Sequence, residues 1–279
     1  MMKYFRFFVV ALSTILLSIV AQTTFATSKK PQRKIAVQTA CCWSRTFEEA
    51  INIISQVKSV RYIESFGQII STKFGKARID PYMNAEQKAF VKNLLAEKNL
   101  KLVSYGVTGA ADEKGIRRLF EFAKEFGIEL LEIEPPIWQL PIFDKMAEEY
   151  GIKVAIHCHE RNDRNQWWDP NVVMKNIAKY KNIGVCAETG AWSRSGIDPV
   201  KAMKIAKGRI YGAHLKDQKT FNDLRSPAVI YGTGCLDMKA ILAEFDRQKF
   251  DGYLVIEHGN DQDKSLEVIR ADVEFLEKN

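Results

Sequence analysis

From residue 33 onward the chain alternates two kinds of segment. Short runs rich in β-branched and aromatic residues carry the period of a strand, and longer runs place apolar residues every three or four positions, as a helix with one buried face does. Eight runs read as strands: 34–39, 60–65, 101–107, 128–134, 153–159, 183–189, 209–216 and 252–258. Between them lie helical spacings such as Leu119, Phe122, Ala123 and Phe126, or Ile241, Leu242 and Phe245. Thr46 with Glu49 and Asn84 with Gln87 have the spacing of capping boxes, and Asp198 caps ahead of Pro199 at a first helical position. Eight strand-then-helix units predict an α/β fold, a (β/α)8 TIM barrel forming a single domain. A doubly wound open sheet would usually have fewer strands and a glycine-rich first turn, whereas the first turn here is Ala40-Cys41-Cys42-Trp43-Ser44.

Residues 1–26 follow another pattern: Lys3 and Arg6, an apolar run from Phe7 to Ala21, then Thr24-Phe25-Ala26 with small residues at the expected cleavage positions. This reads as a secretory signal peptide, leaving 27–279 as the barrel domain in a periplasmic location. The apolar run is shorter than the roughly 20 residues of a spanning helix, so no retained membrane span is expected.

Composition excludes several classes. With 46% hydrophobic residues the chain is neither a disordered polymer nor a disulfide-dense miniprotein. Its 41 basic and 34 acidic residues give +7, but they are interleaved, as in Asp112-Glu113-Lys114 before Arg117-Arg118, so no nucleic acid partner is implied. Five cysteines at 41, 42, 158, 186 and 235 include no CxxC pair, and are read as packing thiols. Nothing in the sequence sets an oligomeric state.

In a TIM barrel, functional groups sit at the C-terminal ends of strands. Strand four ends in Glu132-Ile133-Glu134, strand five in His157-Cys158-His159, strand six in Glu188-Thr189, strand seven in His214-Leu215-Lys216 and strand eight in Glu257-His258. Alternation puts Glu132 with Glu134, His157 with His159, and His214 with Lys216 on shared faces. Buried ionised carboxylates need partners, and Lys216 is the main inward cation. Acids and imidazoles converging in this way favour one divalent metal ion: Mn, Mg, Co or Zn. The segment 218–233, with Phe221, Arg225 and Tyr231, is the expected mobile cover.

At these residues the sequence resembles the xylose isomerase-like TIM barrels, the superfamily of sugar phosphate isomerases and epimerases. Ala155-Ile156-His157-Cys158-His159 resembles the family's AIHNH, and the run 184–199 its GVCxDTGHWxRSGxDP. His214-Leu215-Lys216-Asp217 is similar to HLKD, Tyr231-Gly232-Thr233-Gly234 to the GxG that follows, and Asp251 to Glu257 to the closing DGYLxIE. The resemblance implies one divalent ion on Glu134, Glu188, His214 and Glu257, with His157 where many relatives have Glu. Glu188 stands where the family has Asp, and Ala191 where it has His.

The implied activity is a metal-dependent sugar isomerase or epimerase that abstracts a proton next to a carbonyl. Glu257, Glu134 and Lys216 are the catalytic candidates, and His159, Arg194 and Trp192 the substrate-binding ones. Sugar phosphates are cytoplasmic, so export favours free sugars or glycosides as small-molecule partners. It also raises the alternative of a metal-dependent lyase or hydratase on a keto-sugar or 3-keto-glycoside. Ala191 keeps a non-catalytic sugar-binding barrel as a further alternative. A barrel endonuclease with a trinuclear zinc cluster would need many histidines, and the chain has four.

Overall fold

The computed structural model describes residues 33–163, 166–259 and 264–279. The expected signal peptide lies outside the described residues. Among the described residues no helix is long and apolar enough to cross a membrane.

The eight expected strands are all present as β1 (Lys34–Gln38), β2 (Tyr62–Ser65), β3 (Lys101–Thr108), β4 (Leu130–Ile133), β5 (Lys153–Ile156), β6 (Ile183–Glu188), β7 (Ile210–Leu215) and β10 (Tyr253–Ile256). They pair in parallel around a closed barrel, with β10 joining β7 to β1. The short strands β8 (Asp217–Gln218) and β9 (Ala228–Val229) form a separate antiparallel ribbon after β7. The helices are α1 (Phe47–Ile54), α2 (Ala85–Glu97), α3 (Glu113–Phe126), α4 (Leu140–Tyr150), α5 (Pro170–Ile177), α6 (Thr189–Arg194), α7 (Pro199–Ile205), α8 (Met238–Arg247) and α9 (Ser265–Lys278).

Local chemistry sets the helix limits. Both expected capping boxes form, at Thr46 with Glu49 and at Asn84 with Gln87. Asp198 caps α7 ahead of Pro199, and Asp169 caps α5 ahead of Pro170. Gly127 and Gly151 end α3 and α4 at φ of 69° and 67°, a left-handed conformation that costs other residues strain. Helix α3 buries Ile116, Leu119, Phe120 and Phe122 against the barrel, each contributing about 1.5–3 kcal/mol. Residues Thr39–Cys42 leave β1 as a 3-10 turn, which buries Cys41 and Cys42 as separate thiols; all five cysteines are free.

Inside the barrel the side chains change character from one end to the other. Two small apolar groups, Ala36 with Val103 and Val255, and Leu130 with Ala155 and Cys186, stand apart from the main core. Two residues further along the same strands stand Gln38, Glu257, Glu132, His157 and Glu188. Side chains two apart share a face, so the interior turns polar within one step.

Candidate metal centre at the C-terminal end of the barrel

His157, Glu188, His214 and Glu257 come from four adjacent strands or their ends, and each offers a donor atom within 4.8 Å of the others. Glu188 Oε2 lies 3.6 Å from His157 Nε2 and 3.4 Å from His214 Nδ1, and Glu257 Oε2 lies 3.0 Å from His214 Nδ1. Lys216 places Nζ 2.9 Å from Glu257 Oε1 and 3.9 Å from Glu188 Oε2.

Glu188 does double duty. It is the N-cap of α6: Oε1 accepts from the backbone N–H of Gly190 at 3.1 Å and of Ala191 at 3.4 Å, leaving Oε2 for the site. A Cβ at position 190 would come within 2.8 Å of Lys216 Cβ, so the glycine lets the start of α6 lie against Lys216. Ala191 is buried and serves the site through its backbone.

Glu134 sits behind His157. Its Oε1 is 2.9 Å from His157 Nδ1, and it also touches His159 Nδ1, so Glu134, His157 and His159 form a second cluster sharing one residue with the first. Burial pushes the Glu134 carboxyl up, but the two imidazoles outweigh it and hold it down to about 2. Burial works against a charge on His157, yet Glu134 and Glu188 lift that imidazole to about 10. Glu188 and Glu257 are likewise disfavoured by burial and held below the usual carboxylate range by Lys216, with His214 assisting. Lys216 is raised, its burial overcome by those two carboxylates.

Beneath the four-residue group lie two fully buried acids for which the sequence reading gave no role. Glu132 Oε2 is 2.7 Å and Glu64 Oε1 2.8 Å from His214 Nε2. The signal for Glu64 was available: it is the penultimate residue of the second strand, with the parity of an inward residue. Glu132 was placed on the face of Glu134 but given no part.

The remaining candidates separate. His159 is exposed, at 49% of its side chain, beside Glu134. It borders a cleft of about 520 Å³ whose walls include Pro135, Pro136, Glu160 and Trp167. Arg194 pairs with Glu160 and bonds to Gln218 Oε1 at 3.2 Å and the Ser226 carbonyl at 3.0 Å, tying the ribbon to the loop after β5. Trp192 has no exposed surface and belongs to the main apolar core. Its expected place among the substrate-binding residues is therefore corrected: α6 turns that face inward.

The segment expected to be a mobile cover is tethered. Asp217, fully buried, accepts from the backbone N–H groups of Gln218, Gly232, Gly234 and Leu236 at 2.8, 3.0, 3.0 and 3.2 Å. Tyr231 is buried and donates to the Leu215 carbonyl at 2.6 Å, while Phe221 and Leu224 stay exposed at the tip. This explains the HLKD and GxG runs together: the acid organises the turn that the glycines make, and a Cβ at 234 would meet Asp217 Oδ1 at 2.3 Å.

A closed parallel barrel with imidazoles and carboxylates gathered at the C-terminal strand ends defines a (β/α)8 protein with a candidate divalent-metal centre. Residues 68–279 match the sequence profile described as xylose isomerase-like TIM barrel, and the chain belongs to that family. Among solved structures it is similar to an uncharacterised protein of Parabacteroides distasonis, at 29% identity and a TM-score of 0.70, over 88% of this chain and 98% of that one. It shares the fold of a D-allulose 3-epimerase from a Methylomonas species, at 14% identity and 0.67, over 88% and 97%. The probable 3-DHS dehydratase AsbF of Bacillus anthracis has the same fold, at 14% identity and 0.66, over 88% and 98%. No curated protein sequence matches the chain.

Proposed function

We propose that the protein is a divalent-metal-dependent isomerase or epimerase of free sugars or their glycosides, acting outside the cytoplasm. The observation that carries this reading is the convergence of His157, Glu188, His214 and Glu257 with Lys216 beside them. The donor set fits an ion. Two imidazoles and two carboxylates suit Mn, Co or Zn, and Mg less well. His214 Nδ1 and Glu257 Oε2 are buried and lie 3.0 Å apart without the geometry of a hydrogen bond, as two atoms converging on one ion would.

When bound, the ion supplies Lewis acidity, polarising a carbonyl and its neighbouring hydroxyl and so acidifying the hydrogen between them. Glu257 takes that hydrogen as a proton and returns it. Return by Glu257 to the neighbouring carbon isomerises, whereas epimerisation needs a proton delivered from the opposite face by a second group. The Lys216 ammonium keeps Glu257 ionised before the transfer and faces the negative charge that develops on the substrate oxygens. Glu134 faces His157 and His159, outside the four-residue group, and acts by holding His157. His159 and Glu160 present polar groups to the substrate from the cleft wall.

The cleft beside Glu134 and His159 favours a second reading, elimination from a keto-glycoside, because it gives a leaving group room. One experiment separates the two. The metal-loaded protein is incubated in deuterated water with free sugars and with matching keto-glycosides. Deuterium at carbon without aglycone release supports isomerisation or epimerisation, and aglycone release with an unsaturated product supports the lyase. Neither outcome, with metal bound, refutes both and leaves a sugar-binding barrel.

A further inference from the structure

The pair of acids under His214 is unusual for a barrel interior, which is normally filled by branched apolar side chains. Glu64 and Glu132 are both fully buried, and each comes close to the same ring nitrogen, His214 Nε2. A buried carboxylate is costly, and two sharing one imidazole are more so. The chain nonetheless builds space and partners for them.

Glu64 is held by other strands: Gln38 donates to its Oε1 and Ser104 to its Oε2. Glu132 has no such holders, and neither of its oxygens has a hydrogen-bond partner among the described residues. Its space is made by glycines. A Cβ at Gly106 would meet Glu132 Cβ at 2.5 Å, and one at Gly212 would meet Glu132 Oε1 at 2.7 Å. Gly212 lies two residues before His214 on β7, so the strand that carries the imidazole also makes room for the acid beneath it. The two carboxylate oxygens share His214 Nε2 without either lying on its N–H axis.

We propose that Glu132, with Glu64 beside it, is the positioning residue of His214: the acids anchor Nε2 below, so that Nδ1 faces Glu188 and Glu257 above. The inference rests on the metal-site reading given under Proposed function. Its physical content is that rotating the ring about Cβ–Cγ would separate Nε2 from two carboxyl oxygens at once, which fixes the direction of Nδ1. Outer partners of this kind orient imidazole ligands and raise their basicity, and their loss typically lowers metal affinity about 10–100-fold.

The test compares the full chain with Glu132→Met, Glu132→Gln and Gly212→Ala. Isothermal titration with Mn²⁺ and Zn²⁺ gives affinity, thermal melting of the metal-free protein gives stability, and ¹⁵N-histidine spectra report the ring. With four histidines, His214 can be assigned by substitution.

The expected signature is a split: Glu132→Met loses about 10–100-fold in affinity while its metal-free melting temperature is unchanged or higher, because a buried polar group without a hydrogen-bond partner among the described residues has been removed. In the same variant the His214 Nε2 signal should move from its wild-type position. Glu132→Gln, which keeps an oxygen acceptor, should recover part of both losses. Gly212→Ala, which displaces the carboxylate without removing it, should lower affinity in the same direction and covers the case in which Glu132→Met does not fold. Wild-type affinity together with an unmoved Nε2 signal in Glu132→Met or Gly212→Ala overturns the proposal. Wild-type protein that binds neither ion refutes the metal reading instead, and the ring spectrum of the metal-free variants still decides the positioning.

Discussion

Glu134 Oε1 lies 2.9 Å from His157 Nδ1, so the carboxylate at the end of β4 determines that Nε2 is the nitrogen turned toward Glu188. Replacing Glu134 with alanine frees the ring to turn and removes the charge that supports it. A fall of about 10–100-fold in divalent-ion affinity is expected, with the fold retained. Calorimetric titration of Glu134→Ala measures it, and an unchanged affinity would rule out the assigned role.

The same pair makes the metal-free protein sensitive to pH. His157 is lifted to about 10 from 6.5, so its stabilisation is complete below pH 6.5 and is lost as pH rises toward 10. Glu134 is held at about 2 against 4.5, so its share is complete above pH 4.5 and is lost as pH falls toward 2. The pair therefore contributes most between pH 4.5 and 6.5. In chelator-treated protein, the melting-temperature gap between wild type and His157→Gln should shrink steadily from pH 6 to pH 10, and a gap that stays constant would contradict the linkage.

Lys216 contacts both carboxylates of the four-residue group. Lys216→Met should lower kcat by about 10²–10³-fold, the usual cost of deleting one group aimed at developing negative charge. Metal affinity should change much less, since the lysine supplies no donor to an ion. Turnover equal to wild type in the Co²⁺-loaded variant would show that the lysine only balances charge.

Asp217 bonds to four backbone N–H groups and has no contact with the metal-site donors. Asp217→Ala should cost about 3 kcal/mol or more, because charged hydrogen bonds are lost and buried donors left unmet. The expected readouts are a melting temperature lower by several degrees and faster amide exchange at Gly232 and Gly234. Exchange unchanged at those two amides would mean that the turn holds without the acid.

The barrel was legible because its signals are local. Strand period, the boxes at Thr46 and Asn84, and the Asp-Pro starts of α5 and α7 each follow from neighbouring residues. The gathering of Glu188, His214 and Glu257 was legible too, since strand parity alone sends them inward. Trp192 was misjudged because a six-residue helix can turn either face to the core, and neither its length nor its sequence decides which. Glu64 was passed over because its meaning is non-local: it depends on Gln38, Ser104 and His214 from three other strands. The separation of Glu134 from the four-residue group has a similar origin, because β4 and β5 end at Ile133 and Ile156, and the irregular backbone beyond them sets which carboxylate meets which ring.

The cap on α6 has a consequence for denticity. Glu188 has one oxygen occupied by the helix N–H groups, and Glu257 has one occupied by Lys216. Each carboxylate thus turns its other oxygen, Oε2, toward the four-residue group, in which each residue offers one atom. On the proposed metal reading, an ion that takes one atom from each of the four residues and accepts six would leave two places for atoms from elsewhere. A compound offering a carbonyl oxygen next to a hydroxyl fills two places at once, while a simple alcohol or an isolated ketone fills one. On that reading the helix cap and the lysine would favour α-hydroxycarbonyl compounds before any side chain touches the rest of the molecule.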